Sequence, residues 1–149
     1  MREITHIVVH CSATPQTTTV QSIRNYWKNV LKWSRPGYHY IIDANGVETH
    51  LSEIAHPTNG VAGRNATSIH VCYIGGIDAK GKPIDNRTEA QKRALLTRLV
   101  ALKKLFPNAQ IVGHRDLSPD RNRNGVIEVR EWVKYCPCFD AIPEYRGVK

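Results

Sequence analysis

Apolar and polar positions fall in short blocks whose period changes along the chain. Thr5-His6-Ile7-Val8-Val9-His10 is apolar and β-branched, the pattern of a buried strand. Period two puts His6, Val8 and His10 on one face and Ile7, Val9 and Cys11 on the other. Thr19 can cap a helix starting at Val20. Val20, Ile23, Trp27, Val30 and Leu31 then share one helical face, a stripe expected to be core, before Ser34-Arg35-Pro36-Gly37 ends it. Tyr38-His39-Tyr40-Ile41-Ile42 predicts a strand with Tyr38, Tyr40 and Ile42 on one side. Asp43-Ala44-Asn45-Gly46 turns it into Val47-Glu48-Thr49-His50. Residues 52–67 are irregular, a length of loop that commonly lines a site. Ser68 to Ile74 is a central strand closed by Gly75-Gly76. Thr88-Glu89-Ala90-Gln91 has capping-box spacing and opens a helix to Phe106 whose apolar face is Leu95, Leu99, Leu102 and Phe106. Gln110-Ile111-Val112 is the last strand. The order β-α-β-β-β-α-β predicts an α/β fold: a single domain with a central mixed β-sheet flanked by helices.

Length changes little in this picture, since 149 residues suit one domain with a real core. No apolar run is long enough to span a bilayer, so membrane insertion is not expected. The N-terminus has no signal-peptide core, which implies synthesis in the cytoplasm and export by some other route. A net charge of +8 favours polyanionic partners. The polyanion could be nucleic acid, which is not the expected partner since no basic tract is interleaved with stacking aromatics, or an anionic cell wall. A plain soluble basic surface is an equal alternative, and charge alone does not decide. Cys11, Cys72, Cys136 and Cys138 read as free or metal-binding thiols rather than a disulfide framework.

The chemistry lies in three places. His10 and His114 each stand at the carboxyl end of a strand, where ligand sites of α/β sheets gather. Lys134-Tyr135-Cys136-Pro137-Cys138 supplies a thiolate, from Cys136 or Cys138. Two imidazoles and a thiolate suit zinc with an open fourth position, the mark of a catalytic site. The plain alternative for a lone His10 is a hydrogen-bonded core histidine.

Several motifs occur in one order: Val9-His10-Cys11-Ser12-Ala13-Thr14, Gly37-Tyr38-His39-Tyr40, Ser68 to Gly76, Gly113-His114-Arg115-Asp116, and Lys134 to Asp140. Together they resemble the type 2 N-acetylmuramoyl-L-alanine amidases, a family that includes phage lysozyme-like endolysins and peptidoglycan-recognition proteins. The resemblance implies that His10, His114 and Cys136 are zinc ligands and that Cys138 is a buried thiol. It implies that Tyr38 faces the metal-bound water and that Lys134 stabilises the developing oxyanion. The substrate would be the amide between N-acetylmuramic acid and L-alanine, with peptidoglycan stem and glycan as the partner. A phage-type endolysin acting as a monomer at the bacterial cell wall is the expectation. The rivals are a non-catalytic peptidoglycan-binding protein and a regulator of a phage or host polymerase.

Two departures from the family pattern stand out. Many relatives carry a histidine in the loop where Gly60 or Val61 stands here, with His56 as a possible substitute. The stretch between His114 and Cys136 is also longer than in short phage relatives. It contains Asp120, Asn122, Asn124, Gly125, Val126, Ile127 and Glu131 at the spacing of an EF-hand calcium loop. The side chains of Asp120, Asn122, Asn124 and Glu131 and the carbonyl of Val126 are the expected Ca²⁺ ligands. Pro119, Arg121 and Arg123 speak for the other reading, a metal-free turn held by Asn and Asp. On the calcium reading the ion would help position a helix bearing Lys134 and Cys136.

Overall fold

β-branched and apolar runs make the sheet, and their pairing places the chemistry. The computed structural model describes residues 2–149. Five strands lie in the order β3-β2-β4-β1-β5: β1 is His6–Cys11, β2 Tyr40–Ile42, β3 Glu48–His50, β4 Ser68–Tyr73 and β5 Gln110–Gly113. β1 pairs in parallel with β4 and β5, β4 pairs in parallel with β2, and β3 returns antiparallel from β2. The sheet is therefore mixed, as expected. Gly46 closes the β2–β3 turn at φ +81°, and Asp43 Oδ1 accepts from Asn45 and Val47 N–H.

Two helices cover the faces. Thr19 caps α1 (Val20–Asn25), accepting from Ser22 N–H. The Thr88 and Gln91 capping box opens α2 (Glu89–Leu105), which sets fully buried Leu95, Leu99 and Leu102 against Ile7, Val9, Ile69, Val71 and Tyr73. On the opposite face Ile23 and Trp27 pack on Ile41, Cys72 and Ile74. A short α3 (Ala141–Glu144) packs beside β5. Arg87 ties that helix down through Asp85 and Glu144, with its guanidinium over Phe139.

The core stripe expected along the first helix is only half right. After Asn25 the chain widens into a π turn, Tyr26–Val30, which rotates the following residues outward. Val30 is 62% exposed and Leu31 38%. The strand expected from Tyr38 begins only at Tyr40, because His39 bends to give its N–H to His70 O and its C=O to Leu51 N–H. Tyr40 and Ile42 consequently join the core on the α2 face, while Tyr38 packs with Ile23 and Trp27 on the other.

Candidate active site

β1 and β5 are neighbouring parallel strands, so their carboxyl ends deliver His10 and His114 side by side. His10 is buried and His114 half-buried, and their Nδ1 atoms lie 3.2 Å apart. Cys136 Sγ sits 3.7 Å from His10 Nδ1 and accepts the N–H of Cys11 at 3.1 Å. Among the described residues this is the one group of three such side chains whose donor atoms all lie within 4.8 Å of one another. A tetrahedral ion with bonds of about 2.05 Å to nitrogen and about 2.3 Å to sulfur has edges of about 3.3 Å (N to N) and about 3.6 Å (N to S). The observed 3.2 and 3.7 Å fit that figure.

Electrostatics agree with neutral imidazoles. Burial pushes His10 well below the ordinary histidine value, and His70, His114 and Lys134 push it further. Burial and then Lys134 bring His114 down to about 4. Both rings therefore keep a lone pair for a metal at neutral pH. The thiols sort themselves as well. Cys11 is pushed up to about 12, first by its hydrogen bond to Cys136, and stays protonated. Cys138 is raised by its hydrogen bond to Cys11 and by burial; its Sγ lies 3.8 Å from Cys11 Sγ and donates to Gly76 O. It points away from the histidines. Cys136 is the thiol that joins them.

The Cys136 segment is held by side chains rather than by a helix. Arg115 N–H donates to Cys136 O, and its guanidinium reaches Tyr135 O and Asp140 while lying 3.9 Å over Trp132. Tyr73 hydroxyl donates to Pro137 O at 2.7 Å. Gly113 lets Pro137 in, since a Cβ there would stand 2.6 Å from Pro137 Cδ. The helix expected to bear Lys134 and Cys136 is absent: residues 133–140 form turns, and Pro137, lacking an N–H, does not sustain a helix.

Tyr38 lies with its ring 5.0 Å from that of His10 and edge-on to Trp27 at 5.4 Å. Burial pushes its phenol well up, and the thiols of Cys72, Cys136 and Cys11 nearby do the same. Lys134 is exposed and reaches the rim. Tyr38, Lys134, His114, Cys136, Asn59 and Gly60 are among the lining of a cavity of about 130 Å³ at the cluster. Trp27 and Trp33, stacked at 22°, line both this cavity and a larger, more apolar hollow of about 720 Å³ that includes Ile23 and Leu31. Part of the stripe expected to be core is thus cleft wall.

The loop at 52–67 lines the site as expected, but His56 does not enter it. That side chain is exposed; the residue contributes its carbonyl, which accepts from His39 Nε2 at 2.8 Å. Instead the structure brings in His70, absent from the sequence expectations, whose Nδ1 stands 2.9 Å from His10 Nε2. Period two on a central strand, with Ser68, His70 and Cys72 sharing a face, was the available signal.

The calcium reading of the long insertion gains no support. The loop's oxygens serve its own backbone: Asp120 accepts from Asn124 and Gly125 N–H, Asn122 from Asn124, and Asn124 from Val126. Glu131, at the twelfth position, is buried and accepts from Arg121, Asn122 and Glu128 N–H. The segment leads into a single 3₁₀ turn, Val129–Glu131, rather than a helix. These bonds are what the reading as a turn held by Asn and Asp side chains requires.

Comparison with known proteins agrees with this geometry. Residues 1–132 match the family described as N-acetylmuramoyl-L-alanine amidase, a match that stops short of Cys136. The endolysin of Klebsiella phage KP32 is 40% identical over 142 residues, covering 93% of this chain and 83% of its own. The endolysin of Escherichia phage T7 is 38% identical over 137 residues, covering 90% and 80%. Among solved structures, the N-acetylmuramoyl-L-alanine amidase LysC from Clostridium intestinale superposes with TM-score 0.74 at 19% identity over 99% of this chain and 88% of its own. Peptidoglycan-recognition protein SA of Apis mellifera gives 0.70 at 16% identity over 99% and 84%. These two show a shared fold.

Proposed function

Since the chain belongs to the N-acetylmuramoyl-L-alanine amidase family of peptidoglycan hydrolases, we propose that it is a zinc-dependent endolysin that cuts the amide between N-acetylmuramic acid and L-alanine. One observation carries the metal part of this reading: donor atoms of His10, His114 and Cys136 converge within 4.8 Å of one another, with the two edges from His10 Nδ1, 3.2 and 3.7 Å, at tetrahedral spacing. Two neutral imidazoles and a thiol that accepts a backbone N–H suit a borderline-soft divalent ion. Zinc bound there would supply a water made nucleophilic near neutral pH and would polarise the scissile carbonyl.

The chain's own residues do the rest. Lys134 at the rim offers a positive charge where the carbonyl oxygen gains negative charge. Tyr38, whose phenol stays protonated, can hold or pass a proton beside His10 toward the leaving amine. The stacked Trp27 and Trp33 wall the cleft and offer apolar surface to the lactyl and sugar parts of the substrate. The formal charge of +8 favours adhesion to an anionic wall. No helix among the described residues is long and apolar enough to cross a membrane.

The test is hydrolysis of purified peptidoglycan by wild type and Cys136→Ser, with zinc measured on both. New L-alanine amino termini from zinc-loaded wild type alone support the reading and the ligand set together. Wild type that holds zinc and binds the wall but releases no amines points to a receptor. Zinc and activity retained in Cys136→Ser overturn the ligand assignment.

A further inference from the structure

We infer that His70 and Asn65 form a positioning relay that fixes which nitrogen of His10 faces the metal point. The argument starts at Asn65, whose Oδ1 accepts two backbone donors, Gly60 N–H at 3.1 Å and Val61 N–H at 2.8 Å. Only an oxygen can accept both, so the orientation of this amide is settled by its partners. The same oxygen lies 2.8 Å from His70 Nε2. That nitrogen must therefore carry its proton.

A neutral imidazole has one N–H, and His70 is fully buried without a carboxylate partner. Its Nδ1 is then a bare acceptor. Opposite it at 2.9 Å stands His10 Nε2, which must donate. The lone pair of His10 is left on Nδ1, the atom that faces His114 Nδ1 and Cys136 Sγ. One oxygen acceptor thus sets the tautomers of two rings in series.

The relay is also mechanically tied to the cleft. Gly60 lies flat on the His70 ring, where a Cβ would come within 2.4 Å of it. Gly60 and Asn59 line the site cavity, and Asn65 gathers Gly60, Val61 and His70 into one hydrogen-bonded knot. The backbone N–H of His70 donates in turn to His39 Nδ1 at 3.0 Å, which anchors the ring from behind. The loop that touches substrate and the ligand that touches the ion thus share one support.

This inference uses the metal reading above, and its test separates the two. Long-range ¹H–¹⁵N spectra of the imidazoles in metal-free wild type read the tautomers directly. His10 and His70 are both expected as the Nε2–H form; His10 carrying its proton on Nδ1 overturns the relay without any variant being made. His70→Leu removes the acceptor and should weaken zinc, measured by competition with a chromophoric chelator, by about 10–100-fold. His70→Gln keeps an acceptor toward His10 and a donor toward Asn65, so it should recover most of that loss. Zinc affinity in His70→Leu equal to wild type, in a variant with native circular dichroism, overturns the proposal. Wild type that shows both tautomers yet holds no zinc sinks the metal reading and leaves the relay standing.

Discussion

Acid should unfold the metal-free protein by way of His39, and the size of the effect follows from its surroundings. His39 is fully buried. Its Nδ1 accepts from His70 N–H and its Nε2–H donates to His56 O, so both nitrogens are used in the neutral form. A second proton would have to be placed on Nδ1, against the His70 N–H, on a ring whose other nitrogen, Nε2, already lies 3.2 Å from the Arg2 guanidinium. Burial is the main cause that brings this group from 6.5 to about 4; the bond to His56 opposes it, and Arg2 and His50 add to it. The folded pKa lies below the unfolded one, so the unfolded chain takes up the proton first. Stability is therefore present above pH 6.5 and is lost as pH falls from 6.5 toward 4. Between pH 7 and pH 4.5 the loss from this one group is about 2 kcal/mol, from about 1.4 kcal/mol per pKa unit. Urea unfolding at a series of pH values gives the curve for wild type, and His39→Gln, which keeps an acceptor and a donor, gives the reference. The difference between the two should slope by close to one proton across that window. A flat difference would refute the reasoning.

Lys134→Met should lower kcat by about 10²–10³-fold, the scale of losing one oxyanion partner, while zinc content stays at the wild-type level. Glu131→Gln should lower the melting temperature, because its carboxylate is the shared acceptor of three backbone N–H groups and an amide N–H₂ would face one or two of them. If that carboxylate rather than an ion closes the loop, the melting temperature will be the same in calcium and in EGTA. Leu99→Ala, at a fully buried position between α2 and the sheet, should lower unfolding free energy by about 2–5 kcal/mol without moving KM.

Period and caps carried most of the fold. The Thr19 and Thr88 caps, the Asp43 to Gly46 turn and the faces of β1 stand where the pattern put them, because each depends on residues close in sequence. Misreadings arose where a distant partner or a local change of helical period decided. Tyr38 left the face of Tyr40 because His39 bonds to β4, thirty-one residues away. Val30 and Leu31 turned outward because a π turn adds a residue to the helical period. At the site, His10, His114 and Cys136 were legible through motif order. Asn65 was not, since an irregular loop has no period that says which amide will meet a buried ring.

The separation of His10 and Cys136 by 126 residues gives the candidate metal point a topological meaning. On the zinc reading, an ion held by both closes nearly the whole chain into a ring, as a disulfide between those positions would. Chain-entropy treatment of a loop that long gives about 5 kcal/mol of lost freedom in the denatured ensemble. A chelator would then act on the molecule as a reducing agent acts on a cross-linked one, cutting the ring and shortening its survival against proteases.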